Sequence, residues 1–482
     1  MLRLADFRNK KILIMGLGLH GGGTGTAIFF ARLGSQITVT DLKSRLELAL
    51  SIAQLKPFRN ITYHLGGHRP NDFRTADYVI KGPGVADGSR FLKITKRAGV
   101  PVLSDVEIFF RLCPAQIIGV TGTKGKSTTA TLLAAMLRAH GRYGNAPRIP
   151  RGSATRIGRG SRVWLGGNIR KSVLEFLPRV RRKDLVVLEL SSFQLDSLKK
   201  NRVSPHIALI TNIFPDHLNR YPSMTAYAAS KANIFRFQKK GDGLFINTKD
   251  ALLRRLSRGA PGRVIRYDPP AVFRRFSRFW PRGSPRYHMP NIAAAIAVAR
   301  HLKVGERAIR QVLARFKGLP GRMQFVRSVR GVEFINDTTA TNPGAAGEAV
   351  IATKRRIGSH GLHVIAGGYD KGLKADKFIK ALRRHAASVI FLPGTATAKM
   401  KPETRNPKPE TSPKSKIQKI FEAKTMKEAV RMACRNSRKG DVVLLSPGAA
   451  SFGLFQHEFD RGEQFVRAVK RFASRTLTKP AG

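Results

Sequence analysis

The sequence predicts an α/β protein of three domains built on parallel sheets, and three observations carry that prediction. Strand-like apolar runs that pass through glycine turns into helical patterns recur in three successive blocks. A chain of 482 residues with 42% hydrophobic content has room for roughly three ordinary domain cores. Gly318, Pro320 and Gly321 in GLPGRMQFV punctuate the chain where the last block begins. The domains are accordingly taken as residues 1–112, 113–318 and 319–482.

The first block opens with KKILIMGLGLHGGGTGTAIFFARLGSQITVTDLK, which reads as strand, glycine turn, helix and a second strand ending on Asp41. Gly16, Gly18 and Gly21 satisfy G-x-G-x-x-G, a Rossmann-like βαβ pattern whose turn amides and helix N-terminus can face a diphosphate. Taken alone, this segment predicts a nucleotide of some kind. An NAD site with Asp41 on a ribose hydroxyl, and a turn that merely packs helix on strand, are the other readings.

The second block begins near Cys113. The strand AQIIGV runs into GVTGTKGKSTT, residues 119–129, and then into the helix TATLLAAMLRAHG. Gly119 and Gly125 stand six apart, one more than in G-x-x-x-x-G-K-[ST], so this is a variant phosphate loop. Gly122 and Gly125 let backbone N–H groups converge on phosphates, Lys126 supplies a cation, and the Ser127 hydroxyl can ligate Mg²⁺. A turn built only for packing has no need of glycine, lysine and hydroxyls together at the mouth of a helix.

Further along, Glu189 sits within the apolar run DLVVLELSS, where an unpaired charge is costly and predicts a cation or metal partner; a strand-end salt bridge is the alternative. TNIFPDHLNRY carries Asp216 and His217 at the end of another strand, and Lys231 lies in the helical pattern AYAASKANIF. Because ligands gather at the carboxyl ends of parallel strands, Glu189, His217 and the loop at Lys126 are expected to converge.

Composition narrows the function classes. The count of 88 Lys+Arg against 30 Asp+Glu gives a formal net charge of +58, which by itself suggests a partner rich in phosphate. The excess is spread over every segment and has no aromatic-rich binding module, so nucleic acid is not expected as a specific partner. Ten arginines against one acid between Arg254 and Arg286, and six arginines with no acid between Arg142 and Arg162, are its densest stretches. Two cysteines, Cys113 and Cys434, make no disulfide framework or metal knuckle and fit a reducing, cytoplasmic setting. No apolar run is long enough to cross a bilayer. Residues 399–416, with four prolines, read as a disordered insertion, and 142–162 as a basic excursion.

GTKGKST, LELSSFQLD, NIFPDHLNRY and the lysine of YAASKANIF, in this order, resemble the central domain of the Mur ligases, the ATP-dependent amide-forming enzymes of peptidoglycan precursor synthesis. The LELSSFQLD wording, the GLGL turn and the C-terminal LLSPGAASFGLFQHEFDRGEQF are most similar to the branch that attaches D-glutamate to UDP-N-acetylmuramoyl-L-alanine. The resemblance implies a P-loop ATPase-like central domain, a Rossmann-like C-terminal domain, ATP and Mg²⁺ as cofactors, a cytoplasmic setting and a monomer. It also implies an acyl phosphate made from the L-alanyl carboxylate and attacked by the D-glutamate amine.

Residue by residue, the resemblance assigns ATP to Gly122, Thr123, Lys124, Gly125, Lys126, Ser127 and Thr128, with Asn291 on the adenine side, Arg322 reaching the nucleotide and Asp337 on the ribose. Lys126, Glu189, His217 and Lys231 form the implied catalytic set. Ser127, Glu189, His217 and a carbamylated Lys231 are the implied magnesium ligands. Gly18, Leu19, His20 and Asp41, with Asn168 of WLGGNI, are assigned to the UDP-substrate, and the loop Lys81–Val85 borders the same pocket. Thr341, Lys371, Ser451, Phe452 and Phe459 are assigned to D-glutamate, with Asn342 nearby. In one departure, Thr338 and Thr339 stand where many relatives carry Ser-Lys. Two alternatives remain at this point: a sister amide ligase for another amino acid, and a polyanion-binding protein on a ligase scaffold.

Overall fold

A computed structural model describes residues 2–19, 21–143, 160–169, 172–216, 220–279, 289–316, 318–370, 372–405, 419–451 and 453–477. His20, His217, Lys371 and Phe452 lie outside the described residues, as do most of the basic excursion and most of the proline-rich insertion.

Three sheets follow one another along the chain. The first joins β1 (Lys11–Met15), β2 (Gln36–Asp41), β3 (Ile61–Leu65), β4 (Tyr78–Lys81) and β5 (Val102–Leu103) in the order β3-β2-β1-β4-β5. All its pairings are parallel, and the order reverses direction beside β1, where open sheets of this type leave a crevice for a ligand. The second sheet joins β6 (Gln116–Thr121), β7 (Val163–Gly167), β8 (Leu185–Glu189), β9 (Ile207–Ile210), β10 (Gly243–Asn247) and β11 (Arg263–Tyr267) in the order β11-β10-β9-β6-β8-β7, again all parallel. Here β6 stands between β8 and β9, so the loop after β6 opens at the corresponding crevice.

Parallel strands covered on both faces must be apolar throughout, and β8 and β9 are buried at every position. The segment LSSFQ then switches strand to helix. The Ser191 hydroxyl accepts from Gln194 N at 3.3 Å while the Gln194 side chain accepts from Ser191 N at 3.0 Å, a capping box that starts the helix Ser192–Lys200.

The two sheets belong to one compact unit that runs to Arg315. A single core cluster spans them, from Phe7, Phe30 and Val39 to Leu188, Ile210 and Leu244, and Phe109 meets Phe176 edge-on at 5.3 Å. The expected boundary at residue 112 falls between the helix Asp105–Leu112 and β6, inside this unit.

The second unit, from Phe316 onward, holds the third sheet: β12 (Gln324–Val329), β13 (Val332–Asn336), β14 (Leu362–Gly367), β15 (Ser388–Leu392), β16 (Lys419–Glu422) and β17 (Val442–Leu445). Its order is β12-β13-β17-β14-β15-β16, parallel except for the antiparallel hairpin β12–β13. Two clusters fill its faces, one around Val350, Phe378 and Phe391, the other around Phe334, Val443 and Phe465. Gly318 and Gly321 adopt left-handed backbone, at φ +84° and +70°, where the unit begins.

Candidate active site

The loop between β6 and the helix Lys126–Tyr143 is shaped by what surrounds its glycines. Gly122 has φ +147° and Gly125 φ +83°; a Cβ would fall 2.0 Å from Thr211 Oγ1 at the first and 1.9 Å from Asn291 Oδ1 at the second. The end of β9 braces the loop from one side. Thr123 N donates to Asn212 O at 3.0 Å, Lys124 N to Asn212 Oδ1 at 2.9 Å, and Thr211 Oγ1 to Lys124 O at 2.6 Å. Asn291 closes over the other side, where its carbonyl accepts from Thr129 Oγ1 at 3.0 Å.

Two ammonium groups share one acceptor here. Lys126 Nζ donates to Gly122 O at 2.9 Å and to Thr123 O at 3.0 Å, and the buried Lys231 Nζ donates to the same Gly122 O at 2.9 Å. Burial, then repulsion by Lys126, lowers the Lys231 amine to about 7, against opposing pulls from Asp216, Asp196 and Glu189. Its neutral and charged forms are therefore both populated near neutrality. Lys231 also lies over the Tyr227 ring, 4.7 Å from its centroid, and Tyr227 OH is 3.3 Å from Thr123 Oγ1.

Glu189 ends β8 beside this loop and is 1% exposed. Its Oε1 accepts from Asn168 Nδ2 at 3.0 Å, while its Oε2, equally buried, has no hydrogen-bond partner among the described residues. Asn168 is itself fixed, its N–H donating to Glu189 O at 2.8 Å after the turn at Gly167. A buried carboxylate oxygen without a donor, within electrostatic reach of Lys231 and near the hydroxyl-lined loop mouth of Ser127 and Thr128, is a hard oxygen ligand that suits Mg²⁺. The residues present fit the ion that the sequence implied.

The glycine turn of the first sheet is built differently. Gly16, Gly18 and Gly21 all have positive φ, and a Cβ on Gly23 would lie 2.4 Å from Leu17 O, so the turn and its helix Gly22–Arg32 pack backbone to backbone. Asp41 does not stand free at the end of β2. Its Oδ2 accepts from Gly18 N at 3.0 Å and its Oδ1 from Lys43 N at 2.9 Å, while Ser51 Oγ donates to Gly18 O at 2.8 Å. On the facing strand, Gly82 comes close enough that a Cβ would meet Gly16 O at 3.3 Å, and the buried Lys81 pairs with Asp87 at 2.5 Å.

In the second unit, Asp337, Thr341 and Ser451 lie at the carboxyl ends of neighbouring strands. Asp337 Oδ1 accepts from Met323 N at 3.1 Å, and its backbone N–H donates to Leu445 O at 2.8 Å. Thr339 folds back, its hydroxyl donating to Gly321 O at 2.9 Å. Asn342 caps the helix Pro343–Ile357 by accepting from Ala345 N at 2.8 Å. Arg322 is exposed, Ser451 buried, and Phe459 half-buried against His457. A cavity of about 190 Å³ opens beside Thr341, lined by Tyr369, Asp370, Lys374, Lys399 and Glu403, with Asp370 and Lys399 paired at 2.5 Å.

The first unit thus gathers Lys126, Asn168, Glu189, Lys231 and Asn291 around one loop. Sequence reasoning missed the bracing residues Thr211, Asn212 and Tyr227; the TN of TNIFPDH was the available signal, since a hydroxyl and an amide at a strand end are suited to bind loop backbone.

Family comparisons cover most of the chain. Residues 10–104 match the Mur ligase MurD-like N-terminal domain, 120–272 the Mur ligase middle domain, and 321–448 the glutamate ligase domain of Mur ligases. A UDP-N-acetylmuramoylalanine--D-glutamate ligase from Roseiflexus sp. is 38% identical, the match covering 96% of this chain and 99% of that protein. The enzyme of the same name from Borreliella afzelii is 35% identical, with 97% and 99% covered. Among solved structures, a UDP-N-acetylmuramate-alanine ligase from Thermotoga maritima aligns with TM-score 0.59 at 18% identity over 97% of this chain and all of that one, a likeness of fold. The MurF ligase of the same organism, in complex with ADP, aligns with TM-score 0.56 at 15% identity.

Proposed function

The chain belongs to the Mur ligase family, and from that premise we propose that it joins D-glutamate to UDP-N-acetylmuramoyl-L-alanine at the expense of ATP, forming ADP and phosphate in peptidoglycan precursor synthesis. The observation that carries the reading is the pair of ammonium groups on Gly122 O beside the half-satisfied carboxylate of Glu189. Such a cluster is built to receive phosphate charge on one side and a divalent cation on the other.

The ligand sets follow the three blocks. Residues 1–112 take the UDP portion through Gly18, Leu19, His20 and Asp41; 113–318 take ATP and Mg²⁺; 319–482 take the amino acid. Mg²⁺ bound at Glu189 supplies charge neutralisation for the phosphoryl group in transfer. Lys126 and the loop amides hold the nucleotide phosphates, and Asn291 keeps the loop in register. Asn168 orients Glu189 by bonding Oε1, which leaves the buried Oε2 for a metal ion. The neutral amine of Lys231, populated near neutrality, can add to CO₂ and release a proton, giving an N-carbamate whose new carboxylate oxygens carry the negative charge. His217, which the resemblance makes a magnesium ligand, would join this set. Asp337 binds the ribose and Arg322 the nucleotide, while Thr341, Lys371, Ser451, Phe452 and Phe459 receive D-glutamate, a dianion suited to an ammonium and hydroxyls.

The L-alanyl carboxylate becomes an acyl phosphate, the D-glutamate amine adds to it, and phosphate leaves as the amide forms. No helix among the described residues is long and apolar enough to cross a membrane. Substrates that are nucleotide-activated precursors support a cytoplasmic enzyme, and the reading takes it as a monomer.

Phosphate release from ATP and Mg²⁺ with UDP-N-acetylmuramoyl-L-alanine, with and without D-glutamate, tests this. Release that requires D-glutamate is the expected result. Release with another amino acid makes the chain a sister ligase, and none under any condition, combined with steeply salt-dependent DNA binding, favours the polyanion reading.

A further inference from the structure

The largest fully buried side chain among the described residues is an arginine that the reaction as described does not use. Arg461, in the first turn of the helix Glu458–Leu477, is 0% exposed. Its guanidinium donates three hydrogen bonds: Nε to Thr338 Oγ1 at 3.1 Å, Nη2 to Thr338 O at 2.9 Å and Nη1 to Ala449 O at 3.1 Å. All three acceptors are neutral, and among the described residues no carboxylate makes an ion pair with it within contact distance; Glu458 offsets part of its burial cost through longer-range attraction. Burying a guanidinium without a counter-ion is costly, so chains rarely retain one for packing alone.

Its partners are the loops that follow β13 and β17. Those strands pair in parallel, Asn336 beside Leu445, and their loops carry Asp337 and Ser451. A third loop, after β14, joins them through reciprocal bonds between Tyr369 and Ala450, N–H to O at 2.9 and 3.0 Å. Space for the guanidinium is kept by glycines. A Cβ on Gly368 would lie 2.3 Å from Ala450 O and 3.4 Å from Arg461 Nη1, and one on Gly462 would lie 2.6 Å from the Thr338 methyl. Burial lowers the guanidinium to about 10, which leaves it charged at neutral pH.

We propose that Arg461 is a positioning residue for the acceptor amino acid: it ties the Asp337–Thr341 loop to the Gly448–Ser451 loop and sets the spacing of the groups that receive the acceptor's carboxylates. The planar fork matters because two carbonyls and a hydroxyl lie in different directions, which a single ammonium cannot satisfy together. The proposal rests on the reading of the second unit as the amino-acid site.

The test compares Arg461→Lys and Thr338→Val with the wild-type chain, measuring melting temperature and the separate KM values for D-glutamate, ATP and UDP-N-acetylmuramoyl-L-alanine, with kcat. Thr338→Val removes one acceptor and leaves the arginine in place, so it remains informative if Arg461→Lys folds poorly. The expected result is a D-glutamate KM raised on the order of 10- to 100-fold in Arg461→Lys and less in Thr338→Val, while the UDP-substrate KM, set in the other unit, stays within about twofold. An unchanged D-glutamate KM in folded variants overturns the proposal alone. Losses of kcat that merely track the folded fraction, with every KM unmoved, do the same. A wild-type chain that releases no phosphate with any amino acid overturns the ligase reading and this proposal with it.

Discussion

Two turns in the first unit use the same backbone device for opposite ends. Each follows a strand at the crevice of a parallel sheet, each curls on positive-φ glycines, and each has a carboxylate ending the neighbouring strand: Asp41 on β2 beside β1, Glu189 on β8 beside β6. The carboxylates differ in what they are free to do. Asp41 accepts main-chain N–H groups on both oxygens and so is part of its turn. Glu189 accepts from one side-chain amide and keeps a buried oxygen unpaired, and the loop beside it receives the amines of Lys126 and Lys231 on one carbonyl instead of a carboxylate. The glycines make an anion-binding turn possible; the neighbouring strand decides whether its charge holds backbone or meets a ligand.

Changes to the second turn should cost the most. Lys126→Ala is expected to lower turnover by about 10³-fold or more by removing the fixed cation at the phosphates. Phosphate release measures it, and calorimetry should show UDP-substrate binding intact; loss of both would mean the two turns are not separable. Glu189→Gln keeps the shape and the bond from Asn168 but removes the anion, and kcat should fall on the order of 10²-fold with a higher Mg²⁺ requirement. A Mg²⁺ titration that superimposes on wild type would remove Glu189 from the metal set.

The first turn should respond through binding and stability. Asp41→Asn replaces one acceptor oxygen with a donor facing a backbone N–H, at a cost of about 1–3 kcal/mol, and should weaken the UDP-substrate with little change in ATP affinity. An equal effect on ATP would break the contrast between the turns.

The smallest effect concerns protons. Because Lys231 is lowered in the folded chain from an ordinary 10.5 to about 7, the unfolded chain binds more protons between those values, so stability rises with pH across that window and the cost is full below it. Lys231→Met should therefore raise the melting temperature by a few degrees at pH 6.5 and by less at pH 9. Calorimetry at the two pH values reads this directly, and a pH-independent difference would assign the effect to packing.

Much of this was legible in the sequence because the signals are local. Gly122, Gly125 and Lys126 lie within one turn, and the chemistry of LELSS follows from a carboxylate inside a buried strand. The rest depends on long-range packing. The shared core of the first two sheets leaves no local pattern, so the sequence marks a break at residue 112 without revealing that one core runs across it. Asp41 has the right residue type at the right strand end, but only the fold reveals that its oxygens face two backbone amides. Arg461 sits in a strongly charged helix and reads as surface until Thr338, 123 residues earlier, is brought beneath it.

The crowding at Gly122 and Gly125 bears on how this chain could escape an inhibitor. Any substitution at either position places a Cβ against Thr211 Oγ1 or Asn291 Oδ1 before it can reach a molecule lodged in the loop. A compound anchored on these two backbone segments would leave few single-step routes to resistance, because relief at one position requires a compensating change at a residue 89 or 166 positions away.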